Sequence, residues 1–270
     1  MNLPVLVFDI ESIPDIAGLR VLHDMPADVD DHEVYEHVMA ERLENGKSEM
    51  LPLYLQRILV ISCVFRNAQG LHVHSFVDRE TNGVSQEGKI IQTFFNTLEK
   101  HVPQLVSWNG GGFDLPVLHY RALKHGVVAD KYWDMGEDDR EFKWNNYISR
   151  YHTRHLDLMD LLAMYQPKAN APLDALAKLC GFPGKMGMDG SQVFDAWQAD
   201  QIDEIQNYCE TDVMNTYLLY CRFQKMRGGF TTQEYDQEMQ LVRQSLQNWN
   251  QPHWQQYLSL WPEPKASGEL

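Results

Sequence analysis

The stretch Leu3-Pro4-Val5-Leu6-Val7-Phe8-Asp9-Ile10-Glu11 sets the reading of the whole chain. A short apolar run from residue 3 that meets a carboxylate at residue 9 is the pattern of a central strand buried on both faces. Side chains two apart on a strand share a face, so Asp9 and Glu11 project together from the strand's C-terminal end. Two carboxylates that close repel unless protons or a cation intervene, and oxygen donors of this kind suit Mg²⁺ or Mn²⁺. Alone, an Asp-x-Glu pair reads equally as a solvated strand end.

Working outward, Ser12-Ile-Pro-Asp15 breaks the strand, and residues 24–50 form an acidic stretch with little β pattern. They read as a surface insertion holding one helix at 31–44. The β signal returns at 57–66, and after a turn at 67–70 the alternating residues 71–77 read as its hairpin partner. A helix over 86–101 and a strand over 104–108 lead to the corner Asn109-Gly-Gly-Gly-Phe113-Asp114 and a helix at 115–125 closed by Gly126. Residues 130–141 read as a loop, 155–162 as a strand running into a helix, and 172–180 as a short helix ended by Gly181. A flexible loop at 183–190 precedes helices at 191–199 and 201–226. Beyond Gly228-Gly229 the chain reads as one helix and an irregular aromatic tail with Trp249, Trp254 and Trp261 as packing residues. Strands with a hairpin, then alternating helices and strands, predict an α/β domain with a mixed central sheet flanked by helices. The expected division is 1–228 for that domain and 229–270 for an extension packed on it.

Two further motifs carry chemistry. The glycines of residues 110–112 let backbone approach a ligand, while Asp114 opens a helix, where an Asp is commonly a plain cap. No Gly-Lys-Ser/Thr follows, which excludes a P-loop, and no G-x-G-x-x-G follows the first strand. In Tyr208-Cys-Glu-Thr-Asp212 four residues advance about 400° around a helix, which aims a phenol and a carboxylate at one spot. A surface Tyr–Asp hydrogen bond is the plainer reading of that pair taken alone.

Composition bounds the function. Across 270 residues, 44% are hydrophobic and 23% charged, which excludes disorder or coiled coil as a whole-chain reading. No apolar run approaches the roughly 18 residues of a membrane span, and no signal-peptide core is visible, so a soluble cytoplasmic protein is expected. Cys63, Cys180, Cys209 and Cys221 lack C-x-x-C spacing and are expected as reduced thiols. Against 38 acidic residues stand 23 basic ones, a net charge of −15 that argues against a basic nucleic-acid coat. Candidate phosphate contacts, Lys168, Lys178, Lys185, Arg121 and Lys124, are scattered. His72 and His74 alternate on the hairpin strand and read as a surface face.

Taken together, the motifs resemble Exo I (Phe8-Asp9-Ile10-Glu11), Exo II (Trp108-Asn109-Gly-Gly-Gly-Phe113-Asp114-Leu-Pro116) and Exo III (Tyr208-x-x-x-Asp212) of the DEDD 3′–5′ exonucleases. The match is most similar to stand-alone bacterial members related to the proofreading domain of family B DNA polymerases. The resemblance implies a ribonuclease H-like fold over residues 3–225. Five before Asp212 stands Asn207, so the Tyr rather than the His subclass is implied. It also implies two divalent cations, Mg²⁺ or Mn²⁺, with Asp9, Glu11 and Asp212 on one and Asp9 with Asp114 on the other. Tyr208 joins the catalytic set, and Asn109, Phe113 and Asp157 are candidates for contact with the substrate. Asp160 shares the Asp157 segment without an implied role. The implied reaction is hydrolysis at the 3′ end of single-stranded DNA, releasing nucleoside monophosphates. RNA ends, or an inactive nucleic-acid-binding assembly protein of the same fold, are the alternatives.

Overall fold

The computed structural model describes residues 4–48, 50–80 and 83–262. Leu3 of the opening run, Glu49 of the insertion and the tail's last residues, 263–270, lie outside them. In chain order the elements are β1 (Val5–Pro14), α1 (Ile16–Leu22), α2 (Asp31–Glu44), β2 (Gln56–Asn67), β3 (Gly70–Val77), α3 (Glu87–His101), β4 (Gln104–Ser107) and α4 (Asp114–His125). They continue with α5 (Asp130–Trp133), β5 (His155–Asp157), α6 (Leu158–Leu162), α7 (Leu173–Leu179), α8 (Val193–Gln198), α9 (Ile202–Met226), α10 (Thr232–Asn248) and α11 (Pro252–Leu260).

The sheet has the order β3-β2-β1-β4-β5. β1 runs antiparallel to β2 and parallel to β4, and β5 extends the parallel side. β1 is therefore central and must be apolar on both faces, as its run of valine, leucine and phenylalanine is. Its two faces feed two cores. Val5 and Val7 join Val213, Met214 and Tyr217 of α9, while Leu6, Phe8 and Ile10 join Ile91 and Phe94 of α3 and Leu118 of α4.

Three expectations about elements are corrected. β1 is not broken at Ser12 but continues to Pro14, because β2 pairs with it along its length, with a register shift at Glu11/Ser12. The expected loop at 130–141 contains α5 and a 3₁₀ turn at Arg140–Lys143; Tyr132 and Phe142 bury themselves in the α3–α4 core. Among the described residues beyond Gly229 there are two helices rather than one. A Thr231/Glu234 capping box opens α10, and Pro252 sits in the first turn of α11. Both helices pack on α9, and Trp254 and Trp261 are buried in the same core as Val5 and Val7. The helix in the acidic insertion spans 31–44 as expected, with Val34 and Val38 packed on Leu19 of α1.

Of the candidate phosphate contacts, Arg121 is withdrawn from solvent. It is 1% exposed and bonds Glu87 and Asp15, each at 2.5 Å at its closest. Lys124 also bonds Asp15 at 2.6 Å, and Lys178 bonds Asp174 at 2.9 Å. Lys168 is exposed, and so are His72 and His74. The four cysteines are free thiols. Among the described residues no helix is long and apolar enough to cross a membrane.

Candidate active site

Asp9 and Glu11 continue the alternation of Val5 and Val7 and so share the face of β1 turned toward α9. β4 pairs with β1 only as far as Val7, whereas β2 continues opposite Asp9 and Glu11. The carboxylates therefore stand just past the C-terminal end of the parallel pair, where open α/β sheets bind their ligands.

The corner after β4 fills that gap. Asn109 takes a left-handed φ of +66°, and Gly110 passes so close to Ser107 that a Cβ there would lie 2.3 Å from the serine Oγ. Both oxygens of Asp157 are engaged by backbone. They accept N–H from Asn109 at 3.0 Å, Gly111 at 2.8 Å and Asp160 at 3.2 Å, so Asp157 holds the corner while capping α6. Asp160 pairs with Arg150 at 2.6 Å. Asp114 is not a cap: it is the first residue of α4, whose N-cap is Phe113, and its Oδ1 accepts the backbone N–H of Ile10 at 3.1 Å. Phe113 packs partly buried on the α3–α4 core, and Asn109 is half-buried beside Gly112.

α9 supplies the opposite wall. Tyr208 and Asp212, each 4% exposed, lie one turn apart on it. Cys209 donates to the Asp9 carbonyl oxygen at 3.6 Å, and single ligand atoms of Asp9, Glu11 and Cys209 all lie within 4.8 Å of one another. Lys185, from the segment between α7 and α8, donates to the Tyr208 hydroxyl and places its Nζ 3.1 Å from Asp212 Oδ2. In the sequence Lys185 is one of several scattered basic residues. No local spacing relates it to Tyr208, and the fold alone makes them neighbours. The other oxygen of Asp212, Oδ1, is buried with no hydrogen-bond partner.

Charge crowding is severe. Burial, then Asp114 and Asp212, hold the Asp9 carboxyl well above its ordinary pKa; burial, then Asp9 and Asp212, do the same to Glu11. Burial pushes Asp114 up to about 7, and raises Asp212 even against the neighbouring Lys185. Burial opposes the charge on Lys185, but Asp212 outweighs it and keeps the ammonium protonated. Tyr208 is raised by burial and then by Asp212, Glu11 and Asp9, so its phenol keeps its proton. Burial likewise keeps the Cys209 thiol protonated, which makes it a poor metal ligand. Four carboxylates facing one ammonium form an oxygen-rich pocket whose negative charge calls for protons or hard cations. The unpartnered Asp212 Oδ1 is what such a cation would satisfy.

A model of the family described as "Predicted 3'-5' exonuclease related to the exonuclease domain of PolB" matches residues 48–261. The chain belongs to this family. The matched stretch contains the glycine corner, Asp157, Lys185, Tyr208 and Asp212, together with α10 and α11. Asp9 and Glu11 precede it and reach the site through the pairing of β1 with β2. A DNA polymerase of Archaeoglobus fulgidus is 23% identical over 145 residues, which cover 53% of this chain and 18% of the polymerase. The five-stranded mixed sheet flanked by helices is the ribonuclease H-like fold of this exonuclease type.

Proposed function

We propose that the protein is a 3′–5′ exonuclease that uses two divalent cations, Mg²⁺ or Mn²⁺, to hydrolyse the terminal phosphodiester of single-stranded DNA and release nucleoside monophosphates. The observation that carries the reading is the meeting of Asp9, Glu11, Asp114 and Asp212 in one buried, mutually repelling group, with Asp212 Oδ1 lacking a partner. Asp9, Glu11 and Asp212 would hold one cation, and Asp9 with Asp114 the other. When bound, such cations neutralise the phosphodiester and stabilise both the attacking and the leaving oxygen.

The chain's own groups do the rest. In the metal-free site burial and the neighbouring carboxylates keep Tyr208 a neutral phenol, which suits it to donate a hydrogen bond rather than to act as general base. Its oxygen accepts from Lys185 and its hydroxyl lies within hydrogen-bonding reach of Asp212, so in this reading its one proton serves the attacking water at the Asp212 end of the site. In this reading Asn109 and Phe113, which flank the glycines of the corner, would meet the terminal nucleotide, and Asp157 would support them by fixing the corner's backbone. The net charge of −15 leaves little general attraction for a phosphate backbone, so short single strands are bound weakly and released after each cut.

The test is hydrolysis of 3′-labelled DNA and RNA oligonucleotides with Mn²⁺ or Mg²⁺, and again in EDTA. Mononucleotides from the DNA 3′ end, lost in EDTA and blocked by a 3′-phosphate, are expected. Preference for RNA would overturn the substrate assignment. Binding without cleavage would favour the assembly-protein reading, and cutting within a closed circle would end the exonuclease one.

A further inference from the structure

We infer that α11 carries a positioning residue for the catalytic centre, Tyr257, which acts through Asn215 to set the place of Lys185. The inference rests on the exonuclease reading for what Lys185 does, and on geometry alone for what holds it.

Asn215 sits on α9, 0% exposed, and grips Gly184, the residue before Lys185, by both its N–H and its carbonyl. Its Nδ2 donates to the Gly184 carbonyl at 2.8 Å, and its Oδ1 accepts the Gly184 N–H at 3.2 Å. The same Oδ1 accepts the Tyr257 hydroxyl at 2.7 Å. An amide side chain can turn its oxygen and nitrogen about, and a second donor on Oδ1 selects the orientation that matches Gly184. On the far side, Asp174 of α7 accepts the Lys185 N–H at 2.7 Å. Gly184 adopts φ +76°, and a Cβ there would lie 2.5 Å from Asp174 Oδ1, so no side chain fits where the loop threads between α7 and α9. The loop expected to be flexible is thus clamped in its first half. Lys185 leaves the clamp directly and ends on Tyr208 and Asp212.

α11 is itself tied down one helical turn away. His253, four residues before Tyr257, bonds Glu210 of α9 at 2.8 Å, and Glu210 also accepts from Ser75 of β3 at 2.8 Å. His253 and Tyr257 therefore address α9 from one face of α11, through partners, Glu210 and Asn215, that lie on either side of Asp212 in sequence. Apolar side chains would pack the helix equally well. Polar groups buried here select one geometry, and the geometry selected is that of the Lys185 loop.

The experiment compares wild type with Tyr257→Phe, which removes one hydroxyl and keeps the volume. Tyr220→Phe is the control: Tyr220 is buried on α9 and loses a comparable 2.7 Å bond, to Gln104, away from Lys185. Two readouts are taken. Acetylation of Lys185 by limiting acetic anhydride, followed by peptide mass spectrometry, is expected to rise several-fold in Tyr257→Phe and to stay at the wild-type rate in Tyr220→Phe. Turnover of a 3′-labelled oligonucleotide with Mn²⁺ is expected to fall about five-fold in Tyr257→Phe, the scale of one hydrogen bond. That loss should disappear in a Lys185→Met background, because nothing is left to position. Gly184→Ala, which strains the loop at a φ of +76° and crowds Asp174, should reproduce the acetylation change. Unchanged Lys185 acetylation in Tyr257→Phe, or the same five-fold loss with and without Lys185, overturns the inference. If wild type does not hydrolyse the oligonucleotide but the acetylation pattern is as described, the clamp stands and the exonuclease reading fails.

Discussion

Asp114 Oδ1 accepts the backbone N–H of Ile10 at 3.1 Å, which locks the first residue of α4 onto β1 between Asp9 and Glu11. The bond does two things at once. It joins the glycine corner to the central strand, and it commits the Asp114 carboxyl to a buried place beside two others. Asp114→Asn keeps an acceptor for Ile10 and removes only the charge. It should fold as wild type and lose hydrolysis by about 10²-fold or more. Single-turnover rates beside thermal melts check this, and near wild-type turnover would sink the role given to Asp114.

The raised carboxyls make stability depend on pH in a stated direction. Asp114 titrates near 7 in the folded chain against a reference of 3.8. The folded chain therefore keeps this proton after the unfolded chain has lost it. Stability from this group is complete below about pH 4 and declines as pH rises through 7. Asp9 and Glu11 are raised too and act in the same sense. Despite burial, Asp15 is held low by Arg121 and Lys124, and Glu87 by His125 and Arg121, so they act oppositely, at pH values near or below their ordinary range. Between pH 5 and 8 in EDTA the melting temperature should therefore fall. Mn²⁺ should restore it, most strongly at pH 8. Asp114→Asn should flatten the slope; a metal-free melting temperature that climbs across this range would contradict the charge assignment.

Tyr208→Phe removes the one proton the phenol can offer while leaving all four carboxylates. Turnover should drop by about 10²-fold, the lower end for a positioned proton-handling group. Mn²⁺ binding, followed by isothermal titration, should survive. Asp212→Ala should weaken that binding and abolish turnover. Equal rates for Tyr208→Phe and wild type would make the tyrosine a packing residue of α9.

Arg121 is a structural charge. With its guanidinium between Glu87 and Asp15, Arg121→Ala leaves two buried carboxylates with only Lys124 on Asp15 and His125 on Glu87 as remaining side-chain partners, and should cost about 3 kcal/mol. Urea unfolding measures it. A loss below about 1 kcal/mol would mean that water reaches the site and solvates the pair.

How much of this was legible beforehand follows from the range of each interaction. The strand at Val5–Phe8 was readable as a continuous apolar run, the helix at Asp31–Glu44 from a stretch without β pattern, and the shared face of Tyr208 and Asp212 from the helical period of 3.6 residues. The pair of helices after Gly229 was missed although Thr231, Glu234 and Pro252 marked their starts, because aromatic content drew the reading toward an irregular tail. Asp157 was singled out as a substrate contact, yet its oxygens serve three backbone N–H groups of the corner and of α6, an arrangement that exists only once β5 lies beside β4.

By itself the sequence determined which residues could do chemistry and that Asp9 would share a face with Glu11, since alternation along one strand needs no partner. The tertiary structure decided which of the charges meet. It sent Arg121 into a core between Glu87 and Asp15, and it brought Lys185 across from another segment onto Tyr208 and Asp212. Those encounters depend on sheet order and helix docking, where residues far apart in the chain become neighbours, and no periodicity along the chain encodes that distance.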